Sequence, residues 1–253
     1  MRGVVLGALV LLAIGVGVYV LRSRPVSEIP AALGVDRMTE RITVRTTDGV
    51  MIIGDFYAPS QPSARGLLLL HMMPATRSSW REFAGLMQQR GWQVLAIDLR
   101  GHGESEGGPD GYKDFSDTEH QSSRLDVEAA AAWLQSKGVT ALALAGASIG
   151  ANLALQYLAA HPEARAAVLL SPGLDYRGVT TEDATRSLRP TQRVLYVAAK
   201  DDAASADAVA TLGAATPQEV DWEVNVFPEG GHGTTLFERK PELLPIVVDW
   251  FDG

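Results

Sequence analysis

Hydrophobic and polar positions change rhythm three times along the chain. Gly3 to Leu21 is one uncharged run rich in Val, Leu, Ala and Ile, preceded by Arg2 and followed by Arg22 and Arg24. As a helix, its nineteen residues would extend about 28 Å, close to the hydrocarbon thickness of a bilayer. A cleaved signal peptide has a shorter apolar core with small residues directly behind it. Here the nearest small pair, Ala31-Ala32, lies beyond two arginines and Pro25. Residues 1–24 are therefore expected to be an uncleaved transmembrane anchor, with a signal peptide and export as the alternative. Residues 25–37, with Pro25, Pro30 and Gly34, read as a linker. Positive charge on both flanks leaves the side of the membrane that holds the remaining chain open.

The second rhythm is strict alternation. Arg41 to Thr46 alternates polar and apolar, as a half-buried strand should, and Thr47-Asp48-Gly49 is a turn signal. Val50 to Ala58 then reads as the return strand. The third rhythm is continuous apolar runs separated by helical segments. Strands are expected at Gly66–His71, Trp92–Asp98, Ala141–Ala145, Ala166–Leu170, Arg193–Ala199 and Trp222–Phe227. Helices are expected at Ser79–Gln89, Ser123–Lys137, Ala151–Leu158, Ala203–Leu212 and Pro241–Phe251. A hairpin followed by alternating buried strands and helices predicts an α/β domain over residues 38–253, with a mostly parallel sheet and helices on both faces.

Composition narrows the chemistry. The net charge of −8 argues against a nucleic-acid partner. The absence of cysteine removes disulfides, thiolate metal sites, a cysteine nucleophile and a lipidated N-terminal cysteine. There is no His-Glu-x-x-His, no pair of histidines at helical spacing, no phosphate loop and no dinucleotide fingerprint, so neither a metal nor a cofactor is expected.

Gly146-Ala147-Ser148-Ile149-Gly150 stands between an expected strand and an expected helix. A serine flanked two residues away on each side by glycine, at a strand-to-helix turn, is the nucleophile-elbow pattern. A serine hydroxyl needs a base in hydrogen-bond reach, and the base needs an orienting partner. Both are present downstream in the order acid, then histidine. Asp201 and Asp202 follow one strand, and His232, in Glu229-Gly230-Gly231-His232-Gly233, follows the next. These groups fall in turns at the C-terminal ends of parallel strands, where open α/β sheets place their sites. Among the other histidines, His161 reads as a solvated helix-end residue and His120 as an exposed one.

These features together resemble the α/β-hydrolase superfamily over about residues 38–253. Asp98-Leu99-Arg100-Gly101-His102-Gly103-Glu104-Ser105 is similar to the family's Asp-x-Arg-Gly-His-Gly-x-Ser loop. Leu67-Leu68-Leu69-Leu70-His71 is similar to the strand entering its oxyanion loop. The resemblance implies an eight-stranded α/β-hydrolase sheet whose second strand is antiparallel. Carried over, it implies Ser148 as nucleophile, His232 as general base and then acid, and Asp202 as the preferred orienting carboxylate, with Asp201 as the alternative. It also implies an oxyanion hole from the backbone N–H groups of Ile149 and Met73. Here His71-Met72-Met73-Pro74 departs from the commoner His-Gly pattern, and Pro74 cannot donate. Met72 and Met73 are candidates either for an acyl pocket or for core filling. His71 and His102 match positions that shape loops near the site.

The expected activity is that of a serine hydrolase acting on a carboxylic ester or thioester of modest size. A serine peptidase or an acyltransferase on the same fold is the alternative. A non-catalytic, membrane-tethered binding scaffold is the alternative of another class. Ser171 to Thr191 is too short for a separate cap domain, so a minimal cap and an open pocket are expected. The expected partners are a small-molecule substrate and, through the N-terminal run, a membrane.

Overall fold

The structure is a computed structural model that describes residues 39–253. The expected anchor or signal segment (residues 1–24) and the linker lie outside the described residues. Among the described residues, no helix is long and apolar enough to cross a membrane.

Among the described residues ten strands form: β1 (Thr39–Arg45), β2 (Met51–Tyr57), β3 (Arg65–Leu70), β4 (Gln93–Ile97), β5 (Ala141–Ala147), β6 (Ala166–Leu170), β7 (Asp175–Tyr176), β8 (Val179–Thr180), β9 (Arg193–Ala199) and β10 (Asp221–Phe227). Eight of them make one sheet in the order β1-β2-β4-β3-β5-β6-β9-β10, and β7 and β8 make a separate two-residue hairpin. β2 runs antiparallel to both β1 and β4, and every later pairing in the large sheet is parallel. The α-helices of the described residues are α1 (Arg81–Gln89), α2 (Asp117–Gln121), α3 (Arg124–Ser136), α4 (Ile149–Ala160), α5 (Glu182–Arg186), α6 (Ala203–Ala215), α7 (Thr235–Arg239) and α8 (Leu243–Asp252).

Past their first residues the inner parallel strands β3, β4, β5, β6 and β9 are apolar and buried because both of their faces are covered, whereas the edge strand β10 alternates polar and apolar residues and is largely exposed. In β3, Leu68 and Leu70 face one core with Leu134 of α3, Leu153 of α4 and Val209 of α6. Leu67 and Leu69 face the other with Phe83 of α1 and Val247 of α8. All four leucines are fully buried, and each contributes roughly 2 kcal/mol relative to exposure. Two short helices differ from the expectation. α2 opens on a capping box, in which Ser116 accepts from the Glu119 N–H and the Glu119 carboxylate accepts from the Ser116 N–H. α7 precedes the expected C-terminal helix. α2 also corrects the expected exposure of His120: the helix turns the ring inward against the edge of Phe115, and His120 is buried. His161 is less solvated than expected. It stacks on Tyr157 and bonds Glu128 and Glu163 at 3.0 and 3.1 Å.

Two loops are fastened to each other beyond the sheet. The His71 Nε2 accepts the Leu99 N–H at 3.0 Å, and its Nδ1–H donates to the Met72 carbonyl at 2.9 Å. Burial, with His102 beside it, holds the His71 imidazole down to about 3, so the ring stays neutral and keeps this tautomer. The buried Asp98 carboxylate accepts the Arg77 N–H at 2.7 Å, the Glu104 N–H at 2.9 Å, and the Arg77 guanidinium. Further along, Arg100 reaches Asp126 of α3 and Asp48 of the β1–β2 turn at 2.9 and 2.7 Å. The Ser105 hydroxyl donates to the Asp98 carbonyl at 2.6 Å and accepts the Ile53 N–H at 2.9 Å. The polar residues of the 98–105 motif thus work mainly as structural ties.

Two outcomes follow for stability. Asp98→Ala leaves the Arg77 and Glu104 N–H groups without their acceptor and removes one of three carboxylates around the Arg77 guanidinium, Asp55 and Glu104 remaining, and should destabilise the fold by about 2 kcal/mol, read from the urea midpoint. His71 is depressed in the folded state, so the stability it contributes is present above about pH 6.5 and is lost as pH falls from there toward its folded value. Burial lowers His102 and His120 in the same sense. Unfolding free energy should therefore drop between pH 6.5 and 5, and the drop should be smaller, by about 1–2 kcal/mol, in His71→Gln.

Candidate active site

The site begins at the turn between β5 and α4. Ser148 sits there at φ +53°, a left-handed conformation that is uncommon for a residue with a side chain. Its N–H bonds the Leu170 carbonyl at the end of β6 at 2.9 Å. The flanking glycines are required by close approach. A Cβ on Gly146 would strike the Gly150 carbonyl, and one on Gly150 would strike the carbonyls of Leu70 and His71. The helix start is thereby pressed against the end of β3. Ile149 is the first residue of α4, so its N–H has no partner within the helix and points from the positive end of the helix dipole.

The turn after β9 separates the two candidate carboxylates. Asp202 Oδ2 accepts from His232 Nδ1 at 2.7 Å. Asp201 points elsewhere and accepts the N–H groups of Gly230 and Gly231 at 3.0 and 3.1 Å. These bonds and the nearby Arg239 hold its carboxylate below the usual range. Asp202 itself holds the position before α6, and its side chain makes no capping bond there. His232 is fixed from both sides. Its carbonyl accepts the Thr235 hydroxyl at 2.6 Å, and the Gly233 N–H donates to the Ser171 hydroxyl at 2.9 Å. Gly233 packs on Ala147, the residue before Ser148: a Cβ there would lie 3.4 Å from the Ala147 Cβ and would strike the Met72 sulfur.

Four residues at this rim carry no motif in the sequence. Tyr176 of β7 sets its ring edge-on to His232, with centroids 6.2 Å apart. Its hydroxyl donates to the Ser171 carbonyl at 3.3 Å, pairs with Ser205 at 3.1 Å, and lies within polar reach of the Ser148 side chain. Burial raises the Tyr176 phenol above its ordinary value, which keeps it protonated. Ser171, also at positive φ (+50°), ends β6 and bonds Val197 through its N–H at 2.7 Å. Asn152, one turn into α4 and fully buried, accepts the Gly173 N–H at 3.0 Å and donates to the Val179 carbonyl at 2.7 Å. The β7–β8 hairpin is thus pinned to the helix that follows Ser148. A polar residue on a helix otherwise apolar at almost every position was the one available signal for Asn152.

The segment between β6 and β9 holds only that hairpin and α5, and the rim stays open. Met73 lines an open cleft of about 330 Å³, whose walls also include Pro74, Tyr112, Phe115, Lys113 and Arg177. Met72 instead packs against the core on the α1 and α8 side. No group of three or more His, Cys, Asp or Glu residues able to hold a metal ion occurs among the described residues.

Comparison with known proteins places this architecture. An esterase of Pyrococcus furiosus superposes with a TM-score of 0.70 at 17% identity, over 91% of this chain and 98% of that one. A dienelactone hydrolase of Anabaena variabilis does so with 0.68 at 19% identity, over 85% of this chain and 97% of that one. An esterase of Exiguobacterium antarcticum does so with 0.67 at 15% identity, over 83% of this chain and 99% of that one. At such identities the likeness is one of fold. No curated protein matches the sequence. The family model described as the alpha/beta hydrolase fold matches residues 67–232, most of the chain and the whole stretch from β3 through His232. The protein belongs to the α/β-hydrolase fold family.

Proposed function

We propose that the protein is a serine hydrolase that cleaves a carboxylic ester or thioester through an acyl-enzyme. One observation carries the reading: a serine at positive φ on the β5–α4 turn, on the same rim as a histidine bonded at 2.7 Å to an aspartate. In this reading the Asp202 carboxylate accepts from Nδ1–H of His232, leaving the lone pair on Nε2 available as base. Nε2 takes the Ser148 proton as Oγ attacks the carbonyl carbon. The N–H groups of Ile149 and Met73 donate to the oxyanion that develops. Collapse expels the alcohol or thiol, which leaves with the proton from Nε2. Water then attacks the acyl carbon, giving its proton to Nε2, and Ser148 departs with that proton. Tyr176 limits the tilt of the imidazole from one side.

The open rim favours hydrolysis over acyl transfer, which needs water excluded from the acyl-enzyme. The esterase relatives in fold support the ester assignment but do not carry it. The N-terminal run Gly3–Leu21, flanked by arginines, supports a membrane tether for the domain.

Two experiments test the reading. A fluorophosphonate probe should label Ser148, located by peptide mass spectrometry. Labelling should vanish in Ser148→Ala and fall at least 100-fold in rate in His232→Ala; a well-folded wild type that stays unlabelled points to a binding scaffold instead. The second separates the carboxylates. Asp202→Asn should lower kcat on a simple aryl ester by about 10³–10⁴-fold, while Asp201→Asn, which loosens only the 230–231 turn, should cost roughly tenfold or less. The reverse order would move the orienting role to Asp201.

A further inference from the structure

We infer that the cleft beside Met73 is a subsite for an oxyanionic substituent, a carboxylate or phosphate, carried by the ester substrate and held by Arg177. The inference rests on the serine-hydrolase reading and names the substrate class for it. Three observations carry it.

The first is position. Met73, whose N–H is assigned to the oxyanion, forms one wall of the cleft, and Arg177 forms another. Arg177 directly follows Tyr176, whose hydroxyl is in polar reach of Ser148. With the Met73 N–H on the oxyanion, a substrate whose carbonyl meets Ser148 has its far end directed along the cleft that Met73 shares with Arg177.

The second is charge. The two ionic side chains lining the cleft that are charged at neutral pH are both cations, Lys113 and Arg177. This occurs on a chain with a net charge of −8, whose overall field disfavours anions. Arg41, Arg65, Arg77, Arg90 and Arg100 each sit against carboxylates. Lys113 pairs with Asp110 at 2.8 Å. Arg177, like Arg81, Arg124 and Arg165, forms no ion pair among the described residues, and of these it is the one that lines the cleft, so its guanidinium is available to a ligand there. Tyr112 and Phe115 offer flat walls to the carbon skeleton between the two ends.

The third is the backbone that presents it. Arg177 lies at φ +56° in the β7–β8 turn, where Gly, Asn or Asp is the favoured choice. An arginine there breaks the local rule without an internal partner, as residues kept for a site do. The turn itself is fixed: the Asp175 carboxylate accepts the Gly178 N–H at 2.7 Å, and Asn152 bonds the backbone at Gly173 and Val179. The guanidinium is thus carried on a support tied to the helix of Ser148.

The test uses para-acetoxybenzoate, para-acetoxyphenyl phosphate and, as the neutral reference, the methyl ester of the first. In the wild type, kcat/KM for each anionic ester relative to the reference should fall as salt rises. In Arg177→Gln that ratio should fall about tenfold. Arg186→Gln, an exposed arginine on α5, should keep the wild-type ratio. A loss confined to one anionic ester identifies the carboxylate or the phosphate as the occupant, and a loss with both supports the shared chemistry. An unchanged ratio in Arg177→Gln, with the neutral ester still cleaved, overturns the subsite and leaves the hydrolase reading intact. If no ester is cleaved by folded protein, the hydrolase reading fails separately, and calorimetric titration with para-hydroxybenzoate decides the anion site. Binding weakened about tenfold by Arg177→Gln upholds it; absent binding, or equal binding in both proteins, overturns it.

Discussion

The rim of this protein is measured from one steric contact, the approach of the start of α4 to the end of β3. Gly150 lies where any Cβ would strike the carbonyls of Leu70 and His71. That contact sets the start of the helix that Ile149 opens against the loop that leads to Met73. Ile149 is one residue before the contact on the helix, and Met73 is two residues beyond it on the loop. The loop side is then held by a neutral histidine, with one ring nitrogen donating to the Met72 carbonyl and the other accepting from Leu99. Geometry set by backbone crowding and by a tautomer resists thermal drift better than geometry set by long side chains, because few rotatable bonds are involved.

Adjacent residues of similar chemistry do opposite work here. Asp201 and Asp202 differ in which side of the post-β9 turn they leave. One binds the backbone of the loop that carries His232, and the other binds the imidazole itself. Met72 and Met73 divide in the same way: the first fills the seam below Gly233, and the second lines the open cleft. In each pair neighbouring side chains are sent to different surroundings.

That division explains what was legible in the sequence. The inner parallel strands of the large sheet could be read because burial on both faces writes uninterrupted apolar runs, and the β1–β2 hairpin and the edge strand β10 because exposure writes alternation. The elbow glycines were legible because the contact they permit is local. Helix α2 carried a readable signal, the Ser116 and Glu119 capping box, which short length and polar content obscured. Asn152, Ser171, Tyr176 and Ser205 could not be read: each acts through partners about 20 to 60 residues away, or through a chain reversal that periodicity does not encode. The inward turn of His120 depended on Phe115 being brought beneath it by the same short helix.

Asn152 grips both shoulders of the β7–β8 hairpin, at Gly173 and Val179, from within the helix that begins just after Ser148. Any lengthening of that hairpin between the two grips would add surface above the cleft without moving the helix beneath it. Lengthening outside them would pull directly on the helix. The fold thus separates a stretch of five residues, 174–178, where added chain would build cover from flanks where the same insertion would disturb Ser148, and within that stretch the anchored position is Tyr176, whose ring meets His232.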